Sequence, residues 1–271
     1  MGKLYWDKIG EREYETGIDH GVLYPVSNNA YGKGVAWNGL SKVTESPSGG
    51  EETAIYADNI KYLSLMSNED FGGTIEAYMS PTEFDACDGT ATVAAGVTVE
   101  QQGRRSFGFT YRTLLGNDTD GNDYGEKIHL VYGAKAQPSS KDRSTVNDSP
   151  EATALSWEFK TTPVVINSVN PATGKPYKPT SHLIIKSTEV DGEKYIAFQD
   201  ILYGKDATYA VTEDESFVTD KSYYEIVNGE YVVTEDVTMD SNKTYYEQTA
   251  AGSDARLPLP DEVIAFFKAQ G

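Results

Sequence analysis

The densest group of metal-binding side-chain types in the sequence is GNDTDGNDYG at 116–125, where Asn117, Asp118, Asp120 and Asp123 crowd between glycines. A calcium loop of the EF-hand kind needs acids at alternate positions, glycine sixth and a closing acid twelfth. Counted from Asp118, glycine falls fourth at Gly121, Asp123 sits sixth, and the twelfth residue is His129. What remains is turn chemistry: Asp120-Gly121 and Tyr124-Gly125 supply residues able to take positive φ. The expectation is an ordered hairpin tip that binds no metal.

Three histidines exist, His20, His129 and His182. None stands in a His-x-x-x-His, His-Glu-x-x-His or Cys/His pattern, so no transition-metal site and no cofactor is expected. His129 lies between Ile128 and Leu130 and reads as a structural residue of a strand. The single Cys87 cannot close an intrachain disulfide, which fits a reducing compartment of synthesis. With no base motif beside it, it reads as a small packed hydrophobe. There is no Gly-x-Ser-x-Gly and no glycine-rich phosphate loop. With 42 acidic residues, a glycosidase-type carboxylate pair has no diagnostic spacing. The chain therefore reads as a non-enzyme.

The elements around these residues are mostly strands. Nineteen Tyr, 25 Gly and 11 Pro suit short strands with frequent turns. Strands are expected at 21–26, 34–45, 53–58, 61–66, 73–79, 105–115, 127–136, 152–162 and 181–186, with loops at 46–52, 135–150 and the Pro-rich 170–180. Alternation places Ile75, Ala77 and Met79 on one face, and Phe107, Phe109 and Tyr111 on another. The two longest strands form a hairpin with 116–125 as a long tip. Ser80-Pro81-Thr82-Glu83 reads as a capping box opening a short helix over 81–88, stopped by Gly89. Residues 191–203 form a second helix with Tyr195, Phe198 and Leu202 inward, ended by Gly204. Pro260 opens a third, its first-turn acids and Lys268 matching the helix dipole.

The net charge is −19 with a pI near 4.5, which disfavours sequence-independent binding to nucleic-acid phosphates. No apolar run reaches a membrane span, so no membrane insertion is expected, and no signal-type h-region is visible. Trp6 occupies the Ser/Thr position of a myristoylation pattern and rules it out. Sequons at Asn117, Asn147 and Asn242 matter only in a eukaryotic secretory pathway.

A repeat lies between the last two helices. TYAVTEDESFVTDKSYYEI at 208–226 returns as EYVVTEDVTMDSNKTYYEQ at 230–248, an offset of 22 residues. Two units are too few for a solenoid, so a small pair of hairpins is expected. Residues 208–251 hold ten acids against two lysines. They read as an acidic, Tyr-rich insertion, with Tyr223, Tyr224, Tyr245 and Tyr246 as a candidate outer-surface patch for sugar or protein contacts.

Several long blocks then carry a resemblance: GVAWNGLSKVTESPSGGEETAIYADNIKYLSLMSNEDFGGTIEAYMSPTEFDACDG, RRSFGFTYRTLLGNDTDGNDYGEKIHLVYGAKA and LPLPDEVIAFF. In this order they resemble the major tail proteins of long-tailed bacteriophages with flexible, non-contractile tails, over residues 1–205 and 254–271. The resemblance implies a mainly β, tail-tube-type sandwich or barrel with a short flanking helix and a C-terminal helix. It implies six copies in a ring and rings stacked around a tape-measure protein, with tail terminator and tail-tip proteins as further partners. It also implies a lumen through which DNA passes without specific binding, and a place in the virion tail after synthesis in the bacterial cytoplasm. No catalytic residues carry over. The expected organisation is a core at 1–207, the insertion at 208–251 projecting outward, and a C-terminal segment at 252–271 returning to the core. Strands around 53–79 and 105–136 are expected to build the sandwich. Glu45, Ser46, Glu51, Asn117, Asp118, Asp120, Asp123 and Tyr124 are candidate contacts to neighbouring subunits or rings. The alternative reading is a carbohydrate-binding module with a Tyr/Trp stacking platform. A carboxylate hydrolase is a third.

Overall fold

The computed structural model describes residues 3–141, 145 and 152–268. The Met1-Gly2 start, the Asn147 sequon and most of the 142–151 stretch lie outside the described residues. Strands hold 46% of the residues and helices 12%, which makes the fold mainly β.

Among the described residues, an antiparallel sheet of nine strands builds the core. Its long members are β1 (Tyr14–Ser27), β2 (Leu40–Glu45), β5 (Gly72–Ala77), β6 (Phe107–Asn117), β7 (Gly121–Ala136), β8 (Leu155–Thr161) and β9 (His182–Lys186). The order runs β1-β6-β7-β8-β5-β2, with β9 also on β7 and the bridges at 30–31 and 35–36 on β1. β7 serves two neighbours on one side: residues 127–131 pair with β9, and 134–136 pair with β8. The change of partner falls at Gly133, whose φ is +60°. The register to β6 slips there, from Phe109↔Val131 to Phe107↔Ala134. The bulge resets the alternation, so Val131 and Ala134, three apart, both enter one core. A Cβ at Gly133 would stand 2.2 Å from the Thr162 carbonyl oxygen, so only glycine fits.

Past this bend β8, β5 and β2 curl over the other strands and close a two-layer core. Leu23, Phe107, Phe109, Tyr111 and Val131 from one layer meet Ile75, Ala77, Trp157 and Phe159 from the other. Trp37, Phe84 and Cys87 plug the end, with Trp37 4.6 Å from Phe84 and 5.5 Å from Trp157 between ring centroids. Burying a large apolar side chain such as Phe84 or Ile75 contributes about 1.5–3 kcal/mol. On the opposite sheet face, helices α2 (Gly192–Tyr203) and α3 (Pro260–Lys268) cover Val22, Tyr24, Ile128, Leu130, Tyr132 and Ile185. Asp191 caps α2 through the Lys194 amide, 3.0 Å. In α3, Asp261 accepts the Asn167 and Ser168 amides at 2.9 and 2.8 Å, pinning the preceding loop to the helix start.

Several expectations need correction. The stretch 34–45 is not one strand: Gly39, at φ +72°, turns the chain between Val35–Ala36 and β2. Met79 does not join Ile75 and Ala77 inside, because the strand ends at Ala77 and Met79 is 52% exposed. The short helix forms as a 3-10 turn over Thr82–Phe84 followed by one α-turn, α1 (Asp85–Asp88), but Ser80 does not cap it. Pro81 occupies the cap position in an extended conformation, and Glu83 instead accepts from the Thr82 hydroxyl. The hairpin tip is three residues long, since β6 runs to Asn117 and β7 begins at Gly121. Residues 52–66 do not build the sandwich. They form a separate two-stranded ribbon, β3 (Glu52–Ala57) with β4 (Ile60–Met66).

The insertion folds as its own four-stranded sheet from β10 (Thr208–Val211), β11 (Tyr223–Val227), β12 (Glu230–Val233) and β13 (Tyr246–Ala250), in the order β10-β13-β11-β12. The first strand of each repeat pairs with the second strand of the other. Each repeat builds the same cell: Tyr223 donates to Asp214 and Tyr245 to Asp236, both at 2.6 Å.

Candidate functional site

At the open end of the sandwich the sheet brings together Glu45, His129 and His182. Tyr111 and His129 are direct cross-strand partners on β6 and β7. His182 pairs with Val131, two residues beyond His129, and so lies diagonally beside it on the same face. Glu45 ends β2 in the opposing layer, where it pairs with Gly73. Curling of the sheet therefore joins residues far apart in sequence.

Aromatic rings set the histidine positions. Phe71, His182, His129 and Tyr111 form a stacked column with centroid spacings of 4.5, 5.3 and 4.5 Å. His129 Nδ1 lies 3.2 Å from His182 Nε2 and 3.4 Å from Glu45 Oε1. His182 Nδ1 lies 3.9 Å from Glu45 Oε2. The other nitrogen of His129, Nε2, faces the Thr113 hydroxyl at 3.2 Å and Glu15 Oε1 at 3.6 Å. Tyr111 donates its hydroxyl to Glu45 Oε1 at 2.6 Å.

The electrostatics follow from this packing. His129 and then Tyr111, by hydrogen bonding, hold the Glu45 carboxyl down at about 2 against a partial burial that opposes them. Burial pushes His182 down to about 4, with Glu45 opposing. Burial, and after it the Glu45 carboxylate, pushes the Tyr111 hydroxyl up. His129 is 5% exposed, while Glu45 is partly open to a cleft lined also by Glu15, Leu40, Lys42, Tyr111 and Thr113. His182 borders a second groove, with Tyr177 and Ile264.

The sequence reading missed this constellation because it sought metal and acid–base partners at short spacing. Only the cross-strand register reveals it. Glu45, one of the expected subunit contacts, is exposed at the cleft and accepts the Tyr111 hydroxyl within its own chain.

The other expected contact residues take varied positions. Ser46 donates its amide to Gly72, and Glu51 exchanges backbone and hydroxyl bonds with Ser67 at the ribbon base. Asn117 is buried and accepts the Thr119 amide at 2.9 Å, while its amide group donates to Asp120 at 2.9 Å. Asp118 accepts the Gly10 amide at 2.9 Å and lies 3.5 Å from Arg12. Tyr124 donates to Glu13 at 3.0 Å. Asp118 and Tyr124 thus hold the chain's own N-terminal segment, and Asp123 stays exposed. The expected tyrosine patch divides. Tyr223 and Tyr245 are each 4% exposed, packed against Phe217 with their hydroxyls donated to Asp214 and Asp236. Tyr224 and Tyr246 are half-buried cross-strand partners that pack edge-on against the stacked pair Tyr209–Tyr231, whose centroids lie 4.0 Å apart.

No protein-family model matches the chain, and no curated protein matches it. Among the described residues, no helix is long and apolar enough to cross a membrane.

Proposed function

We propose that this chain is the self-assembling subunit of a bacteriophage tail tube. One observation carries most of the support, the β3–β4 ribbon. It exposes Ile55, Tyr56, Ile60, Tyr62, Leu63, Leu65 and Met66, with Tyr56 at 70% and Met66 at 74%. The ribbon pairs with no other strand among the described residues. An isolated two-stranded ribbon is at best marginally stable in water, and an apolar one is an adhesive edge. Such an arm suits burial against a second copy, and repetition of that contact around a closed ring satisfies every arm. The sequence blocks quoted above agree with this reading.

On this proposal six copies close into a ring, and rings stack around a tape-measure protein between tail-tip and terminator proteins. The acidic balance then keeps a lumen from retaining DNA phosphates. The role is structural rather than catalytic, and the working place is the virion tail.

Electron microscopy of the concentrated chain tests this, with expected six-fold rings or tubes. Ile55→Lys with Leu63→Lys, both at exposed positions, is expected to leave the melting curve unchanged and abolish assembly. A chain that stays monomeric at every concentration, or assembly indifferent to the arm substitutions, overturns the proposal.

A further inference from the structure

We propose that Glu45, His129 and His182 form a binding site for one divalent transition cation, of which zinc is the best fit. The ligand atoms of the three residues all lie within 4.8 Å of one another. Zinc–nitrogen and zinc–oxygen bonds of about 2.0–2.1 Å in a tetrahedron place neighbouring ligand atoms roughly 3.3 Å apart. The two shortest separations, 3.2 Å between the histidine nitrogens and 3.4 Å from His129 to Glu45, match such edges.

The surroundings have the form that metal sites require. A ligating histidine donates its second N–H to a fixed acceptor, which sets the tautomer and leaves the other lone pair for the metal. His129 Nε2 has the Thr113 hydroxyl as its acceptor at 3.2 Å, so zinc binding would shift the ring proton to Nε2 from Nδ1, where it otherwise serves Glu45. The carboxylate ligand is itself oriented by Tyr111. Phe71 and Tyr111 cap the two histidine rings from outside. Imidazole donors select zinc-like cations over calcium or magnesium, which prefer all-oxygen cages. Three protein ligands leave a fourth position towards the cleft, through which the cation enters. The ion would bridge the two layers of the sandwich, since Glu45 belongs to one and the histidines to the other.

Zinc titrated calorimetrically into the EDTA-stripped, dialysed full chain tests this. One equivalent per chain is expected to bind, and cobalt in its place is expected to give a tetrahedral-type visible spectrum. His182→Gln and Glu45→Gln should each weaken zinc binding at least 100-fold, while His20→Gln, a change outside the cluster, leaves it intact. Glu45 is partly exposed, so its variant keeps the fold, checked by the apo melting curve. Absence of stoichiometric binding, or binding unchanged in both cluster variants, overturns the site.

Discussion

Glu247, on the last strand of the second repeat, closes an ion pair with Lys221 of the first, 3.1 Å away. Glu225 of the first repeat returns the bond to Lys243 of the second, also at 3.1 Å. The same two carboxylates take the hydroxyls of Thr212 and Thr234. Each repeat thus completes its cell with a glutamate borrowed from the other.

Crossed effects follow from the borrowing. Glu247→Gln should speed hydrogen exchange at the Val218 amide, which Tyr223 holds at 3.0 Å. Glu225→Gln should do the same at Asp240, held by Tyr245 at 3.0 Å. Amide exchange by NMR checks this, and loosening confined to the substituted residue's own repeat would contradict it.

The bend of β7 depends on one glycine. Gly133→Ala puts a methyl group at a positive φ and against the Thr162 carbonyl. A cost of about 1–3 kcal/mol is expected, visible as a lower urea midpoint. A variant as stable as the parent chain would show that the bend is set elsewhere.

Asp261 gives a pH signature. Hydrogen bonds from the Ser168 hydroxyl and then the Asn167 and Ser168 amides lower its pKa from 3.8 to about 2. A depressed carboxyl contributes stability above its ordinary pKa and loses it as pH falls through the folded value. Asp261→Asn should therefore melt below the parent chain at neutral pH. The gap should shrink as pH falls from 3.8 towards 2. A gap independent of pH would remove the carboxylate from the account.

Cys87 is fully buried, and burial raises its thiol to about 11, against an opposing effect of Arg105. Thiol-specific labelling of the native chain should proceed only as fast as the core opens, and rise sharply in denaturant. Prompt native labelling would mean that the Trp37–Phe84 plug is loose.

The mainly β class, the two later helices and the inward Phe107–Phe109–Tyr111 row were legible because period-2 and period-3.6 patterns are local. So was Cys87, packed beside Phe84 at one-turn spacing. The hairpin tip was read as too long because Asn117 and Gly121 are turn-prone types that here carry strand pairing. The His129–His182–Glu45 cluster left no local trace, since a bend at one glycine and the curl beyond it create the proximity. Glu45 was noticed for its loop, yet its binding partner Tyr111 lies 66 positions away. Tyr223 and Tyr245 read as surface because the ring that covers both, Phe217, sits outside any regular strand pattern and reaches Tyr245 from the other repeat.

Reciprocal borrowing also limits how the insertion can grow. A lone 22-residue unit has a lysine without its glutamate and a first strand without its mate, so two such chains would have to pair to finish one another. A third unit in tandem would again leave an unfinished cell, whereas a fourth would not. The arithmetic of this module is one of parity: its length changes by doublets, because its smallest complete object is a pair.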